Sequence, residues 1–208
     1  MSELLGVFEP LFAPAFTAWG APTTWLELIG VLLALAMVLC NIREVHWGWP
    51  LAIVSSLLYF LIFWRSKLYG DASLQVLFAC AGFWGWFQWL RGHRQDGSAL
   101  RLARLSPRGL AFIVLASALL WPLTGLFLAR YTDTDVPWWD AFPTALSIVA
   151  QFLLARKFIE NWAMWIVVNA VGVGLFAYKG LWLTTGLYLV FIGMSVVGWR
   201  AWRARLPA

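Results

Sequence analysis

Charged residues are scarce in this chain, and their scarcity excludes an ordinary water-soluble domain. Only 12% of the 208 residues are charged, whereas 62% are hydrophobic. Soluble domains carry about 25% charged residues, and a chain this apolar would expose large sticky patches to water. Most of the solvent around this protein must therefore be lipid.

Cysteine and histidine are almost absent, which removes most catalytic and metal sites. Cys40 and Cys80 lie inside apolar runs, so neither a disulfide framework nor a metal site is expected. His46 and His93 fall in predicted loops, and the chain has neither an HExxH pair nor a GxSxG elbow. The last apolar segment has no lysine for a retinal Schiff base. We therefore predict a protein that is not an enzyme and holds no cofactor or metal.

The first 22 residues lack the features of a secretory signal peptide, which needs a basic start and an unbroken apolar stretch. They contain no lysine or arginine, and Pro10, Pro14 and Pro22 interrupt them. We predict a short extracytoplasmic or interfacial segment over 1–22.

Seven apolar stretches are long enough to cross a bilayer, which takes about 20 mostly apolar residues. They cover 23–41, 47–64, 71–90, 109–129, 138–155, 162–178 and 181–199. Tryptophans crowd their ends, as in the aromatic belts at membrane interfaces. The sequence predicts an all-α integral membrane protein with seven transmembrane helices.

Basic residues are distributed unevenly between the two sides of the predicted membrane. If the basic loop 91–108 is cytoplasmic, eleven lysines and arginines face the cytoplasm and four face outside. Cytoplasmic loops of membrane proteins carry this excess, so we predict an extracytoplasmic N-terminus and a cytoplasmic C-terminus. The same bias explains the net charge of +5, so the expected partner is the lipid bilayer and not a nucleic acid.

A Gly-Trp-x-x-Trp motif occurs twice, as GWFQW at 85–89 and GWRAW at 198–202. When residues 25–89 are laid on 138–202, an offset of 113, 13 of 65 positions are identical. Chance would give on the order of five in a composition dominated by so few residue types. The match predicts two copies of a three-helix unit, 23–90 and 138–202.

The helix between the copies explains how both can have the same orientation. A three-helix unit that starts outside ends inside, so the chain must cross once more before the unit can repeat. The segment 109–129 has no counterpart in the repeat and supplies that crossing. We therefore predict a 3+1+3 arrangement of two parallel repeats, which is typical of transporters with a substrate site between the repeats.

Uncharged polar side chains dominate the predicted membrane interior. No aspartate, glutamate, histidine, lysine or arginine lies near the centre of a span, whereas proton-coupled carriers usually bury Asp, Glu or His there. Asn169, Gln75, Tyr188 and Tyr59 are candidates to line a pathway. The alternative is ordinary hydrogen bonding between helices, worth about 0.6 kcal/mol on average.

Two tryptophan pairs end equivalent helices and are candidate gate residues. Trp86 with Trp89, and Trp199 with Trp202, are each spaced i, i+3 on one helix face. We predict that they pack across the pseudo-two-fold axis and frame an inner gate. The alternative is that they anchor the helices in the interfacial belt.

Two stretches resemble the PnuC family of bacterial nicotinamide riboside transporters. They are WGWPLAIVSSLLYFLIFWRSKLYGDASLQVLF with GFWGWFQWL in the first half, and NWAMWIVVNAVGVGLFAYKGLWLTTGLYLVFIGMSVVGWRAW in the second. The resemblance spans nearly the whole chain. It implies a SWEET-like 3+1+3 fold, a homotrimer in the bacterial inner membrane, and facilitated diffusion of nicotinamide riboside. Cytoplasmic phosphorylation would then trap this precursor of NAD biosynthesis.

The polar and aromatic residues suit that substrate, which has a cationic pyridinium ring, a carboxamide and a ribose. Trp182 and Tyr188 could flank the ring through cation–π contacts, while Gln75 and Asn169 could bind its polar edge. Glu27, Asp71 and Asp140 end helices at the outer side and could form an acidic vestibule. Thiamine, riboflavin or a deoxynucleoside remain alternative substrates, and a receptor without transport remains an alternative function.

Overall fold

The computed structural model describes residues 9–18, 21–65, 69–94, 97–132, 134–178 and 182–206. Each predicted apolar stretch forms one helix within this part of the chain. The helices are α1 Trp25–Ile42, α2 Gly48–Arg65, α3 Tyr69–Arg91, α4 Pro107–Tyr131, α5 Pro137–Ala155, α6 Glu160–Tyr178 and α7 Trp182–Ala204.

Helix is the expected state for these segments because lipid offers no partner for backbone N–H and C=O groups. Two of the helix starts carry clear capping signals. Thr24 and Glu27 form a reciprocal capping box at α1, and Ser106 caps α4 ahead of Pro107 at the first helical position. Glu27 is thus engaged by the start of its own helix, with its carboxylate 2.7 Å from the backbone nitrogen of Thr24.

The segment before α1 departs from the all-α prediction. After a short 3₁₀ helix, Glu9–Phe12, strands β1 (Pro14–Ala18) and β2 (Ala21–Thr24) pair antiparallel, with Pro14 opposite Thr24 and Ala18 opposite Ala21. Proline removes backbone donors and fixes φ, so the three prolines of this segment disfavour a helix. The hairpin packs against α1 and extends two residues beyond the predicted segment 1–22, to Thr24.

Three of the described helices are both long and apolar enough to cross a membrane by themselves: Trp25–Ile42, Pro107–Tyr131 and Glu160–Tyr178. A shorter apolar helical stretch covers Gly48–Leu61. The number of helices and their order agree with the predicted seven, and the count of seven transmembrane crossings stays a prediction.

Contacts between the two halves of the chain follow a regular pattern. Within the first half, α1 packs on α2 and α2 on α3; within the second, α5 packs on α6 and α6 on α7. The halves meet through α3 against α5 and α1 against α7. These two contacts are equivalent when the offset of 113 is applied, since α1 corresponds to α5 and α3 to α7. Helix α4 packs mainly against α5.

The described part of the loop before α4, 97–106, makes specific contacts, although the sequence suggests only a basic connection over 91–108. Leu100 and Leu102 are buried, and Leu102 joins the core cluster at the C-terminal ends of the helices. Ala103 pairs with the turn after α5, accepting a hydrogen bond from the Ile159 nitrogen at 3.0 Å and donating to the Lys157 carbonyl at 3.1 Å. The loop therefore fastens that turn in place.

Candidate functional site

A cavity of about 190 Å³ lies between α1, α5, α6 and α7, at the junction of the two halves. Its walls combine aromatic rings with amides and hydroxyls. The lining residues are Ala34, Met37, Val38, Asn41, Ser147, Gln151, Leu154, Trp162, Trp165, Val168, Asn169, Tyr188, Phe191 and Ser195.

Helices α1 and α5 contribute matching positions to the cavity. Under the offset of 113, Ala34 corresponds to Ser147, Val38 to Gln151 and Asn41 to Leu154, and all six line it. Helices α6 and α7 line it as well, whereas no described residue of their counterparts α2 and α3 does. The wall formed by α1 and α5 therefore uses equivalent positions of the two halves, whereas the rest of the described lining is formed by helices of the second half.

Aromatic rings form the apolar part of the wall. Tyr188 packs at a ring distance of 6.0 Å from Phe191 and 4.7 Å from Phe176, which fixes its orientation. Trp162 and Trp165 follow each other at i, i+3 on α6 and line the same space. A flat ring, cationic or neutral, can bind against such faces.

The hydroxyls and amides form the polar part of the wall. Ser147 and Ser195 each donate to a carbonyl of their own helix, Pro143 and Phe191, at 2.7 Å. Their oxygens can still accept a hydrogen bond from a ligand. Asn169 of α6 and Gln151 of α5 add amide groups to the lining. These groups suit hydroxyls or a carboxamide.

Two buried polar atoms of the lining have no hydrogen-bond partner among the described residues. They are Oδ1 of Asn41 and Nε1 of Trp162. Both residues are deeply buried, with 5% and 2% of their surface exposed. An unpaired buried polar group costs about 1–3 kcal/mol, so a polar ligand would stabilise either atom if the side chain turned it toward the cavity.

Four tryptophans form a row beneath the cavity, which we call the tryptophan row: Trp49, Trp89, Trp202 and Trp162. Ring centroids are 5.7 Å apart for the first pair, 6.3 Å for the central pair and 5.4 Å for the last. The outer two contacts are both edge-to-face, at 81° and 86°. The row is symmetric under the offset of 113.

Reciprocal hydrogen bonds hold the central pair of the row. The Trp89 indole donates to the Leu154 carbonyl at 3.1 Å, and the Trp202 indole donates to the Asn41 carbonyl at 3.1 Å. Residues 89 and 202 correspond in the repeat, as do 154 and 41. Each half of the chain thus binds the last turn of the other half's leading helix.

The turns after α1 and α5 have the same backbone form. Glu44 and Lys157 take positive φ angles of 57° and 55°, and the following residue bonds back to the helix, as in a Schellman motif. The Lys157 ammonium lies 3.2 Å from the Glu44 carboxylate and 4.8 Å from the centre of the Trp89 ring. Arg205 also reaches Glu44, at 3.5 Å. This ion pair covers the tryptophan row.

The predicted substrate residues are only partly brought together. Asn169 and Tyr188 line the cavity. Tyr59 packs against Gly30 of α1 and is not among the lining residues. Gln75 is half-buried on α3, away from the lining.

The remaining predicted substrate and vestibule residues lie near the starts of their helices. Trp182, at the start of α7, is 58% exposed and outside the lining. The side chain of Asp71 falls outside the described residues. Asp140 accepts a hydrogen bond from Thr134 near the start of α5, and Glu27 belongs to the cap of α1.

The predicted gate tryptophans lie close together at the ends of α3 and α7. Trp89 and Trp202 are in contact, while Trp86 and Trp199 pack half-buried against the same core cluster. Their role in gating stays a prediction.

Sequence reasoning overlooked several lining residues, namely Asn41, Ser147, Gln151, Trp162, Trp165 and Ser195. A usable signal existed for one pair, because Ser147 and Gln151 are spaced i, i+4 on α5 and share a face. The described residues contain no cluster of His, Cys, Asp and Glu able to hold a metal ion.

Comparison with known proteins identifies the family. The model of the family described as "Nicotinamide mononucleotide transporter" matches residues 24–204. The nicotinamide riboside transporter PnuC of Escherichia coli (strain K12) is 26% identical over 89% of this chain and 87% of its own length. The riboflavin/roseoflavin transporter RibM of Streptomyces davaonensis is 30% identical over 94% of this chain and 92% of its own length.

A solved structure agrees with the fold. The crystal structure of the vitamin B3 transporter PnuC superposes with a TM-score of 0.70 and 24% identity, covering 86% of this chain and 81% of that one. The matched proteins are transporters and not enzymes. This chain is therefore a multi-pass membrane protein that belongs to the nicotinamide mononucleotide transporter family, the family of PnuC.

Proposed function

We propose that this protein carries nicotinamide riboside across the cytoplasmic membrane by facilitated diffusion, with phosphorylation in the cytoplasm trapping the product. The observation that carries the proposal is the cavity between the two halves, where aromatic faces and amides converge. A pyridinium ring would lie against Tyr188, Phe191 and Trp165. Asn169 and Gln151 would bind the carboxamide and the ribose hydroxyls.

The cavity favours a nucleoside over a nucleotide. No lysine or arginine occurs among the described residues that line it, so a phosphate would enter without a cationic partner. Burying an unpaired anion is costly, and the charge of the pyridinium ring is better suited to aromatic faces and to Glu27 at the outer end of α1. The description of the matched family names the mononucleotide, and the cavity supports the riboside.

Riboflavin is the second candidate, because the 30% identical relative RibM is a riboflavin/roseoflavin transporter. Riboflavin also combines a flat ring with a chain of hydroxyls, which the same aromatic and amide groups could bind. It is uncharged, so Glu27 would add nothing to its attraction.

The proposal includes the 3+1+3 arrangement and its orientation. The equivalent contacts of α1 with α7 and α5 with α3 support two parallel repeats. The N-terminus is placed outside and the loop 91–108 inside on the basic bias of the sequence. A homotrimer is proposed from the family resemblance alone.

Uptake into proteoliposomes tests the transport proposal. Labelled nicotinamide riboside should enter saturably and stop at equal concentrations inside and outside, and unlabelled nicotinamide mononucleotide should compete poorly. Protein-free liposomes are the control. Accumulation driven by a pH or sodium gradient would contradict facilitated diffusion, and uptake of riboflavin alone would select the second candidate.

Labelling tests the orientation. In a background with Cys40 and Cys80 replaced by alanine, Ser98→Cys lies on an exposed part of the loop 91–108. An impermeant thiol reagent should leave it unmodified in intact spheroplasts and modify it in inside-out vesicles. Modification in intact spheroplasts would reverse the proposed orientation.

A further inference from the structure

Asn41 and Leu154 occupy equivalent places in the two halves of the molecule but carry different side chains. Each backbone carbonyl accepts an indole N–H of the tryptophan row at 3.1 Å, and each side chain lines the cavity. One position therefore contacts both the space for substrate and the structure beneath it. Only in the first half is its side chain polar.

The Asn41 amide has hydrogen-bonding capacity that the described residues do not use. Its Oδ1 is buried without a partner among them and lies against Gly48, where an added Cβ would come within 2.6 Å of Oδ1, so the oxygen must turn to reach the cavity. A half turn about the terminal bond exchanges oxygen and nitrogen, so the amide can present an acceptor or a donor to the cavity. A hydroxyl or carboxamide of the substrate would satisfy it.

The second half has no such group in the same place. The asparagine near this place in the second half is Asn161, and under the offset of 113 it corresponds to Gly48 and not to Asn41. Asn161 is fully buried, donates to the Phe158 carbonyl at 2.6 Å and does not line the cavity. A polar substrate can therefore act directly on the end of α1, while the matching end of α5 offers it only a leucine.

The C-terminal ends of α1 and α5 also differ in the contacts that hold them. The turn after α5 is fastened by backbone hydrogen bonds to Ala103, and Glu160 accepts a further bond from the Leu105 nitrogen at 3.2 Å. The contacts that tie the turn after α1 to the other half are side-chain contacts, the Trp202 indole and the ion pairs of Glu44. Side-chain contacts break and re-form more readily than a fastened backbone, so the end of α1 is the movable side.

We infer that Asn41 is the positioning residue through which an occupied cavity loosens the tryptophan row on its α1 side. The inference rests on the proposed function, because it needs a substrate with a polar hydrogen-bonding edge. Substrate bonded to the amide shifts the last turn of α1, and the Asn41 carbonyl moves away from the Trp202 indole. A ligand shifts such an equilibrium only by its differential affinity for the two states, which here is one hydrogen bond.

A buried cysteine beneath the cavity reports the opening. Ala155 is fully buried in the core cluster that contains the tryptophan row, so Ala155→Cys should react with a thiol reagent only when the row separates. The native Cys40 and Cys80 are replaced by alanine. Calorimetry on the same proteins gives the dissociation constant for nicotinamide riboside.

With Asn41 present, saturating nicotinamide riboside should raise the labelling rate about five-fold, the effect of one hydrogen bond. Asn41→Leu, which copies the residue of the second half, should weaken binding about five-fold or more, and saturating substrate should leave labelling unchanged. Asn41→Ala serves if the leucine variant fails to fold. Leu39→Ala on the exposed face of α1 is the matched control and should retain the substrate response.

The outcomes separate this inference from the proposed function. Equal affinity, or an equal rise in labelling, in the Asn41 variants would overturn the inference and leave the transport proposal standing. If the wild type binds riboflavin and not nicotinamide riboside, the substrate proposal is wrong, and the same comparison with riboflavin decides the role of Asn41. A wild type that binds neither overturns both.

Discussion

The first half of the chain, α1 to α3, and the second half, α5 to α7, join each other through the same contacts but contribute differently to the cavity. The tryptophan row, the reciprocal indole bonds and the turns at Glu44 and Lys157 recur at an offset of 113. The cavity wall does not recur, because α6 and α7 line it whereas no described residue of α2 or α3 does. The shared parts join the halves, whereas the differing parts create a site.

Close helix contact at the row should be the feature most sensitive to mutation. A Cβ added at Gly85 would lie 2.2 Å from the Trp49 ring, and one at Gly198 would lie 2.6 Å from the Trp162 ring. Either glycine changed to alanine should lower the unfolding free energy by about 1–3 kcal/mol or more, through overpacking. Thermal unfolding in detergent measures the effect. Gly193→Ala is the control, because its Cβ would have nothing within 4 Å; equal stability in all three would contradict the packing argument.

Removal of the reciprocal hydrogen bonds should loosen the junction of the halves. Trp89→Phe and Trp202→Phe keep an aromatic ring and lose one indole donor, each worth about 0.5–1.5 kcal/mol. The turn after α5 is also held by backbone hydrogen bonds to Ala103, so Trp202→Phe, which releases the end of α1, should raise the labelling rate of Ala155→Cys more than Trp89→Phe. Equal gains would show that the two helix ends are held equally firmly and would contradict a movable end of α1.

Equivalent substitutions in α6 and α2 should differ in their effect on substrate binding, because only the α6 position lines the cavity. Asn169→Leu removes an amide from the lining and should weaken substrate binding by about 1–2 kcal/mol, as for a lost buried hydrogen bond. Ser56→Leu, at the equivalent position of α2 and outside the lining, should leave affinity unchanged. Calorimetric titration compares them, and equal losses would place the substrate on the axis between the halves.

Removing the ion pair between the turns at Glu44 and Lys157 should change the stability of the protein least. Glu44 and Lys157 are partly exposed, so their interaction should contribute less than about 1 kcal/mol. Exchanging both charges, as Glu44→Lys with Lys157→Glu, should recover part of the stability that either single change loses. A double-mutant cycle measures the coupling, and a coupling of zero would show that the pair only covers the row.

The sequence by itself indicated the helices and their order, and it predicted the internal repeat. In lipid, the backbone of an apolar stretch can satisfy its hydrogen bonds only as a helix. The repeat is visible in the sequence because tryptophans and an arginine recur at a fixed offset. The same letters indicated that Asn169 and Tyr188 belong to the interior, because a polar group is conspicuous in an apolar helix.

Only the tertiary structure decided which of these polar groups share one cavity. In a helix that is apolar all round, no polar face shows which side meets lipid and which meets another helix. Gln75 and Gln151 therefore look alike in sequence, yet Gln151 lines the cavity and Gln75 does not. Asn41 looks like a helix-end residue until the fold brings Trp202, 161 positions away, onto its carbonyl. Contacts between distant helices, and not the local sequence, made that residue part of the site.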